Sequence, residues 1–470
     1  AAEDVYGNRY SCMLSNIDDL SYYYRQNQTS AVVANSHNTG NTDLWYTWES
    51  LYSGINNANV LLDNIDGASI SDEKVRARIK GEAKFLRAYY HFLLVQGWYE
   101  VPIRKETVKD ITVSSLEATP HAEALDWIIQ EMEDCLDMVD DSNYDASPSH
   151  VKKTVVEGIL ARVCLWRAGE PSKGGKPYYE KAAKYAKAVY DSKKHKLYQN
   201  DIYAIWKMMA SDQYDPEYNE SMWEAEFIGT RDDGKYTESR IGNVIGNLQE
   251  NSAGTGAGYT YAFYAGSLIL WDLYDAKDAR RDLAMAPYKL NNKDVQVAWK
   301  DNQIVDRRCG KYRREWESSS PKHKNYTQEN YCLLRYADVL LMLAEAENEA
   351  NQGPTALAYT CINEVRKRAG IDEVKDLSYG DFQKLIRDER GRELCFESLR
   401  KYDLVRWGIY YKAIKEDLGA AVNDARWSTA NNAKGAAQYV SNTTEKNQFL
   451  PIPTKELGVN TKLEQNKYWK

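Results

Sequence analysis

The segment Arg387–Trp407 mixes acidic and basic side chains at helical spacing, and this pattern limits the possible folds more than any other. Glu389, Glu393 and Glu397 recur every four residues, so in a continuous helix they lie on one face. The interleaved basic residues are Arg390, Arg392, Arg400 and Arg406. Opposite charges mixed in this way favour a partly buried network of ion pairs over an exposed stripe of like charge. The segment is therefore predicted to be a structural helix.

Several further segments carry the apolar periodicity of amphipathic helices. Within residues 80–97, Ala83, Leu86, Tyr90 and Leu93 form an apolar stripe at three- and four-residue spacing. Helices that follow one another in pairs with short turns are typical of a tetratricopeptide-like array, although the strict repeat signature is absent. The sequence predicts a mostly α fold with a few short strands, and helices at about 44–65, 80–97, 121–139, 151–168, 177–191, 333–348, 354–369 and 381–400.

The residues between about 200 and 325 interrupt the helical pattern with many rings and turn-forming clusters. Long irregular segments within a compact domain usually carry function, so we expect the ligand-binding face in this excursion. No linker rich in proline, glycine and serine divides the chain, which favours one domain. We assign a single domain at 1–470, with a helical scaffold at about 44–200 and 330–415, the ligand-face excursion at about 200–325 and a C-terminal loop region at about 418–470.

The charge balance excludes several classes of protein. Binding to nucleic acid requires clustered Lys and Arg, whereas this chain has a net charge of −8. The sequence also lacks a stretch approaching the roughly 18 uncharged apolar residues that a membrane span requires. We therefore expect neither a nucleic acid partner nor a transmembrane helix.

Motifs for catalysis and cofactor binding are missing from the sequence. Its six histidines have no metal-binding spacing, and the chain has no nucleophile elbow. The cluster Gly254–Gly258 is not expected to be a phosphate loop, because Tyr259 stands where a third glycine is required. Glu393 and Glu397 resemble a glycosidase pair in spacing, but the neighbouring arginines are expected to lower both pKa values, whereas hydrolysis needs one raised. We predict a protein that is not an enzyme, with no cofactor and no metal.

The best binding candidate by chemistry is the segment Asn35–Trp48. A sugar presents apolar C–H faces and a rim of hydroxyls, which a flat ring flanked by polar side chains can match. The chain is also rich in rings with a polar tip, with 36 Tyr against 7 Phe. We expect Trp48 to pack in the core, whereas Trp45 and Tyr46 are open to either packing or ligand contact.

Several segments, in the same order along the chain, resemble the SusD/RagB-like nutrient-binding outer-membrane lipoproteins. The similar segments are Leu51–Asn59, Glu82–Trp98, Ser221–Phe227, Asp272–Arg281, Leu334–Asn348, Glu393–Trp407 and Phe449–Glu456. The resemblance covers the scaffold and not the pocket. It implies four degenerate helix pairs in a right-handed superhelix, and a protein that captures a nutrient without chemical conversion.

The resemblance also implies a partner and a location. Members of the family pass an oligosaccharide to a SusC-like TonB-dependent outer-membrane transporter. Their mature chains begin with a lipid-modified cysteine, whereas this sequence opens on Ala1-Ala-Glu-Asp4. We therefore expect a chain trimmed after that cysteine, from a protein exposed at the cell surface that contacts the membrane only through its lipid.

By position, the resemblance implies a shallow site built from two loops. The residues that carry over are His37, Asn38, Asp43, Trp45, Tyr259, Tyr261, Tyr264 and Trp316. The identity, linkage and length of the glycan stay open, as does a bound calcium. Two alternatives also stay open: a peptide-binding or protein-interaction scaffold of the same family, and a glycoside hydrolase.

Overall fold

The computed structural model describes residues 3–25, 30–108, 110, 115–141, 147–199, 201–227, 239–251, 256–320, 322–428 and 433–470. Within these residues the chain is mostly helical, as predicted, with short strands arranged in two-stranded sheets. The buried apolar side chains form one cluster that extends along the chain from Tyr10 to Leu463. None of the described helices is both long and apolar enough to cross a membrane.

The N-terminal part of the scaffold is a series of long helices. The first begins where Asn41 Oδ1 accepts hydrogen bonds from the backbone amides of Asp43 and Leu44. Asp72 caps the second helix in the same way. The helices are α1 (Thr42–Asn64), α2 (Glu73–Trp98), α3 (His121–Glu133), α4 (Lys153–Ala168) and α5 (Lys176–Ser192).

The excursion that follows contains short helices and most of the strands. Its helices are α6 (Ala204–Ser211), α7 (Ile241–Val244), α8 (Leu268–Leu273) and α9 (Arg280–Ala284). The strands are β1 (Ser21–Tyr23), β2 (Ser221–Ala225), β3 (Tyr264–Gly266), β4 (Tyr288–Leu290), β5 (Gln296–Ala298) and β6 (Tyr331–Arg335). They pair antiparallel as β1–β3, β2–β6 and β4–β5.

The C-terminal part returns to helices. The region at 418–470, which we predicted as loops, contains short helices among its described residues. Ala436 and Tyr439, three residues apart, are buried and give one of these helices a packed face. The helices are α10 (Tyr336–Asn351), α11 (Ala356–Arg368), α12 (Tyr379–Leu394), α13 (Arg400–Arg406), α14 (Tyr410–Lys412), α15 (Gly419–Val422), α16 (Ala425–Ser428), α17 (Ala433–Asn442) and α18 (Thr454–Val459).

Neighbouring helices pack in sequence, which confirms the tetratricopeptide-like array. Helix α1 packs against α2, α2 against α3, α3 against α4, and α4 against α5. Helix α5 then packs directly against α10, which also packs against α11 and α12. Because α10 has neighbours on several sides, nearly all of its residues are buried. The excursion is therefore inserted between two helices, α5 and α10, that touch each other.

The predicted helix through residues 381–400 is interrupted. It ends at Leu394, and α13 begins at Arg400. Between them Phe396 and Ser398 have positive φ angles of 63° and 60°, so Glu397 does not share a helical face with Glu389 and Glu393 as we predicted. The break brings the Glu397 carboxylate to side chains of the excursion and of β6.

These side chains form a buried ion network between the scaffold and the excursion. Arg335 donates to Glu393 at 2.6 Å and to Glu397 at 2.7 Å, and Lys311 Nζ lies 2.5 Å from the same Glu397. Burial opposes ionisation of Glu393, but Arg368, Arg335 and further cations outweigh it and hold its pKa well below the ordinary value. The network predicted from the charge pattern is therefore confirmed, and it fixes the excursion to a rigid frame.

Candidate functional site

A row of rings with a cation at each end lies on the excursion. Tyr261 stacks on Phe263 with ring centroids 5.1 Å apart, and Tyr259 meets Tyr261 edge-on at 4.9 Å. The Arg25 guanidinium carbon lies 4.6 Å from the centroid of the Phe263 ring, and Lys324 Nζ lies 5.5 Å from that of Tyr259. We call these five residues the ring row.

The backbone of the row is held by the short helix α7. The amide of Tyr261 donates to the Asn243 carbonyl at 2.8 Å, and the amide of Phe263 donates to the Val244 carbonyl at 2.7 Å. Ala262 between them has a φ of 49°, a conformation that a non-glycine residue adopts at some cost. Because these hydrogen bonds fix the backbone, Tyr261 and Phe263 stack on each other.

Arg314 holds the end of the row at Tyr259 and Lys324 from beneath. Its side chain is fully buried, and its guanidinium donates to the carbonyls of Tyr259 at 2.7 Å, His323 at 2.7 Å and Lys324 at 3.1 Å. Glu317 balances its charge at 2.9 Å. The fork of the guanidinium thereby ties two loops together and sets the position of Tyr259 relative to Lys324.

The exposed edge of the row is amphipathic. Tyr259 and Tyr261 are half-buried, whereas Arg25 and Lys324 are exposed. The Tyr261 hydroxyl donates to Asn325 Oδ1 at 3.3 Å. Rings of this kind offer apolar surface to the C–H groups of a sugar, and the hydroxyls, amide and cations offer hydrogen bonds to its oxygens. The geometry suits a weakly held polar ligand.

Two of the predicted excursion residues, Tyr259 and Tyr261, lie in the ring row, whereas the other two do not. Tyr264 is fully buried in β3, and its hydroxyl donates to the Cys12 carbonyl, which leaves it no surface for a ligand. Trp316 is half-buried and packs edge-on against Tyr203 at 6.1 Å. Trp316 is partly exposed and lies two residues from Arg314 in the sequence.

The predicted N-terminal residues lie in a separate group. His37 is buried against Trp469, with ring centroids 5.2 Å apart, and burial lowers its pKa to about 3. Asn38 is exposed, and Asp43 pairs with Arg9 at 3.3 Å. His37 is thus placed as a packing residue, while Asn38 and Asp43 keep access to solvent.

The two tryptophans of the N-terminal segment differ in exposure. Trp48 is 1% exposed, as expected for a core residue. Trp45 is half-buried, and Lys455 Nζ lies 5.0 Å from its ring. Among the described residues, no hydrogen bond, ion pair or ring contact joins the N-terminal group to the ring row. Among the described residues, the structure therefore brings Tyr259 and Tyr261 together in the ring row, buries His37 and Tyr264, and shows no direct contact between the N-terminal residues and the row.

Sequence reasoning missed five residues that form or support the ring row. The alternation of rings at Tyr259, Tyr261 and Phe263 was a readable signal for Phe263, because residues two apart in an extended segment share a face. The others came from distant parts of the chain or carried no pattern: Arg25, Arg314, Lys324 and Asn325. The first turn cluster, at 231–234, lies outside the described residues, as do Gly254 and Thr255.

A cleft lies between α6, β2 and the start of α4. Most of the side chains that line it are polar or charged, among them Tyr198, Tyr214 and Lys194, and none of the eight predicted residues lines it. Lys194 already pairs with Asp141 at 2.7 Å, and the Tyr214 hydroxyl donates to Glu226 at 2.9 Å. Because its polar groups are bonded within the protein, we give the ring row preference. Within the described residues, no group of three or more His, Cys, Asp or Glu side chains is arranged to hold a metal ion.

Two family models match this chain. The model described as "SusD family" matches residues 288–469, and the model described as "Starch-binding associating with outer membrane" matches residues 3–165. A curated relative, SusD-like protein P25 of Formosa agariphila, is 27% identical over 467 residues, which cover 88% of this chain and 77% of the relative.

Solved structures share the same fold. A SusD homolog from Bacteroides thetaiotaomicron superposes with a TM-score of 0.88 and 26% identity, covering 99% of this chain and 93% of the homolog. A laminarin-binding SusD-like protein superposes with a TM-score of 0.77 and 21% identity, covering 99% of this chain and 96% of that protein. At the latter identity the similarity concerns the fold alone.

Proposed function

This chain is a member of the SusD/RagB family, and we propose on that premise that it captures an oligosaccharide at the cell surface through the ring row. Proteins of this family are non-catalytic binding proteins, and members of it bind glycans. The family is associated with the outer membrane. The proposal depends on one observation: an amphipathic row of rings whose backbone is held by the buried Arg314.

The fixed backbone of the ring row supports binding to a flexible ligand. Arg314 and the hydrogen bonds from α7 hold the rings in place before a ligand arrives. A preorganised surface loses little conformational entropy on binding, so even a few ring contacts leave a net favourable free energy. Each ring contact contributes on the order of 1 kcal/mol, which suits a protein that releases its ligand to a partner.

We place the receiving partner at the outer membrane. A SusC-like TonB-dependent transporter would take over the saccharide, and an N-terminal lipid would hold this protein beside it at the cell surface. The match of residues 3–165 to a family described as associating with the outer membrane supports this placement. Co-purification of the lipid-anchored protein with the transporter from outer membranes tests it. Separation of the two under gentle extraction counts against it.

The remaining predicted residues are secondary candidates in this proposal. Trp45 and Trp316 keep exposed ring surface, and Asn38 and Asp43 lie near Trp45 along the chain. They would contact only a ligand that extends beyond the row, or a second ligand. Two of the eight, His37 and Tyr264, are buried and would act by supporting the neighbouring backbone.

Calorimetry with a panel of oligosaccharides tests the site. We expect Tyr259→Ala and Tyr261→Ala each to weaken binding by about tenfold without lowering the thermal stability appreciably. Tyr411→Ala is a matched control, since Tyr411 is also a surface tyrosine, 39% exposed, on α14. Tyr214→Ala tests the cleft between α6, β2 and the start of α4.

The variants separate the alternatives. Binding that survives both row variants but fails in Tyr214→Ala moves the site to the cleft. Binding of peptides, and of none of the saccharides, supports the peptide scaffold instead. Release of reducing ends during incubation with a glycan supports a hydrolase and contradicts the non-catalytic assignment.

A further inference from the structure

Among the described residues, the two cations of the ring row have no carboxylate partner. Arg25 contacts the rings of Phe263 and Tyr261, and Lys324 contacts the ring of Tyr259. In the described part of the chain, no carboxylate lies within ion-pair distance of either cation.

Several exposed cations elsewhere in the molecule are paired with carboxylates. Arg426 lies 2.8 Å from Asp272, and Lys412 lies 2.7 Å from Asp417. A pairing of this kind uses the donors of the cation within the protein. The donors of Arg25 and Lys324 are not used in this way, so they are available to a ligand.

The carboxyls near the row differ in their surroundings. Glu317 is paired with the buried Arg314 at 2.9 Å. Burial and the nearby Glu317 raise the pKa of Glu329 well above its ordinary value, so the ionised form of this carboxyl is disfavoured. Asp294, on the adjoining turn, accepts a hydrogen bond from the Ala257 amide at 3.4 Å. The row nevertheless presents two exposed cations, although the whole chain carries a net charge of −8.

We propose that the ring row selects an acidic oligosaccharide, one whose sugar units carry carboxylate or sulfate groups. This inference rests on the proposed function and adds the ligand class. A guanidinium that lies over a ring keeps its N–H groups at its edge, where they can form a bidentate pair with a planar carboxylate or with sulfate oxygens. Lys324 supplies a second, less directional charge.

The rings beside these cations add apolar contacts. Arg25 lies against Phe263 and Tyr261, and Lys324 lies against Tyr259. Because Tyr259 and Tyr261 are half-buried, their exposed edges can pack against the apolar faces of a sugar while the cations bind its acidic groups.

Calorimetry with three oligosaccharide probes of equal length tests the inference: a neutral gluco-oligosaccharide, a galacturonate oligosaccharide and a sulfated galactan oligosaccharide. The natural chain is expected to bind one or both acidic probes at least tenfold more tightly than the neutral one, and salt is expected to weaken only the acidic complexes. Arg25→Gln and Lys324→Gln are each expected to weaken acidic binding by about tenfold. Arg426→Gln is the matched control, because that arginine is exposed but already paired.

The outcomes distinguish this inference from the proposed function. If the neutral probe binds best, and Tyr259→Ala abolishes its binding while the charge variants do not, the inference fails and the proposed function stands. Acidic binding unchanged in Arg25→Gln and Lys324→Gln also overturns the inference, because the ligand then lies elsewhere. Failure of all three probes to bind counts against both. Binding of only one acidic probe supports the inference and identifies the anionic group as carboxylate or sulfate.

Discussion

Two regions of this molecule use the same charged residues in opposite ways. In the buried ion network, Arg335 is 2% exposed and directs its guanidinium at Glu393 and Glu397. In the ring row, Arg25 is exposed and lies against the ring of Phe263. In the first arrangement the guanidinium of Arg335 donates from all three of its nitrogens within the protein, which holds the excursion on the scaffold. The second leaves donors available at the surface, which is the property that a binding site requires.

The buried carboxyls of the two regions have pKa values that are shifted in opposite directions. In the network, Arg280, Arg392 and further cations outweigh burial and lower the pKa of Glu389 to about 2. Beneath the row, burial dominates and raises the pKa of Glu329 well above its usual value. Since both groups are buried, the difference lies in the cations that face them. The comparison leads to predictions with opposite signs in the two regions.

The largest effect is expected from removing one member of the network. Arg335→Met leaves the carboxylates of Glu393 and Glu397 buried with fewer cations, and we expect it to lower the free energy of unfolding by about 3–5 kcal/mol. Chemical denaturation followed by circular dichroism measures this. Lys412→Met removes an exposed pair and is expected to cost about 0–1 kcal/mol. Equal costs for the two variants would mean that the network adds no more than a surface pair.

The second largest effect on stability is expected when acid protonates Glu389 in the network. The pKa of Glu389 falls from 4.5 to about 2 on folding, so its stabilising effect is complete above about pH 5 and is lost as the pH falls towards 2. A shift of this size corresponds to about 3 kcal/mol. The stability difference between the natural chain and Glu389→Gln should therefore shrink by that amount between pH 6 and pH 2, as measured by urea unfolding at each pH. A difference that does not change with pH would contradict the lowered pKa.

The sequence predicted the frame better than the site because the frame follows local periodicity. The four-residue spacing of Glu389 and Glu393 predicted a helix and an ion network. It could not predict the break before Glu397, because the break depends on Lys311 and Arg335, which come from other parts of the chain. In the site, the alternation at Tyr259 and Tyr261 indicated a ring surface. Its flanking cations could not be predicted, since Arg25 reaches the row only through the pairing of β1 with β3.

A smaller effect of opposite sign is expected beneath the row. The pKa of Glu329 is raised on folding, so at neutral pH the unfolded chain is favoured by ionisation of this carboxyl, and stability is gained as the pH falls towards its unfolded pKa. Glu329→Gln removes the ionisation, and we expect it to stabilise the protein by about 1 kcal/mol or more at pH 7 and not at pH 4. Urea unfolding at both pH values measures this.

Glu445→Gln is the control for that variant, because Glu445 is exposed and is expected to show no such pH-dependent gain. A destabilised Glu329→Gln protein at pH 7 would show that the carboxyl is ionised and paired in the folded state. It would also place a negative charge beneath the ring row.

The smallest effect on stability is expected at Arg25, and it tests the comparison most directly. Arg25→Gln removes a cation that is exposed and not held by a carboxylate, so the free energy of unfolding should change by less than about 0.5 kcal/mol. Arg335→Gln, the same substitution in the network, should cost several times more, because it leaves buried carboxylates with fewer donors. Denaturation of both variants under identical conditions measures the ratio. A cost above about 1 kcal/mol for Arg25→Gln would mean that the ring contact is structural, and that the donors of Arg25 are not free for a ligand.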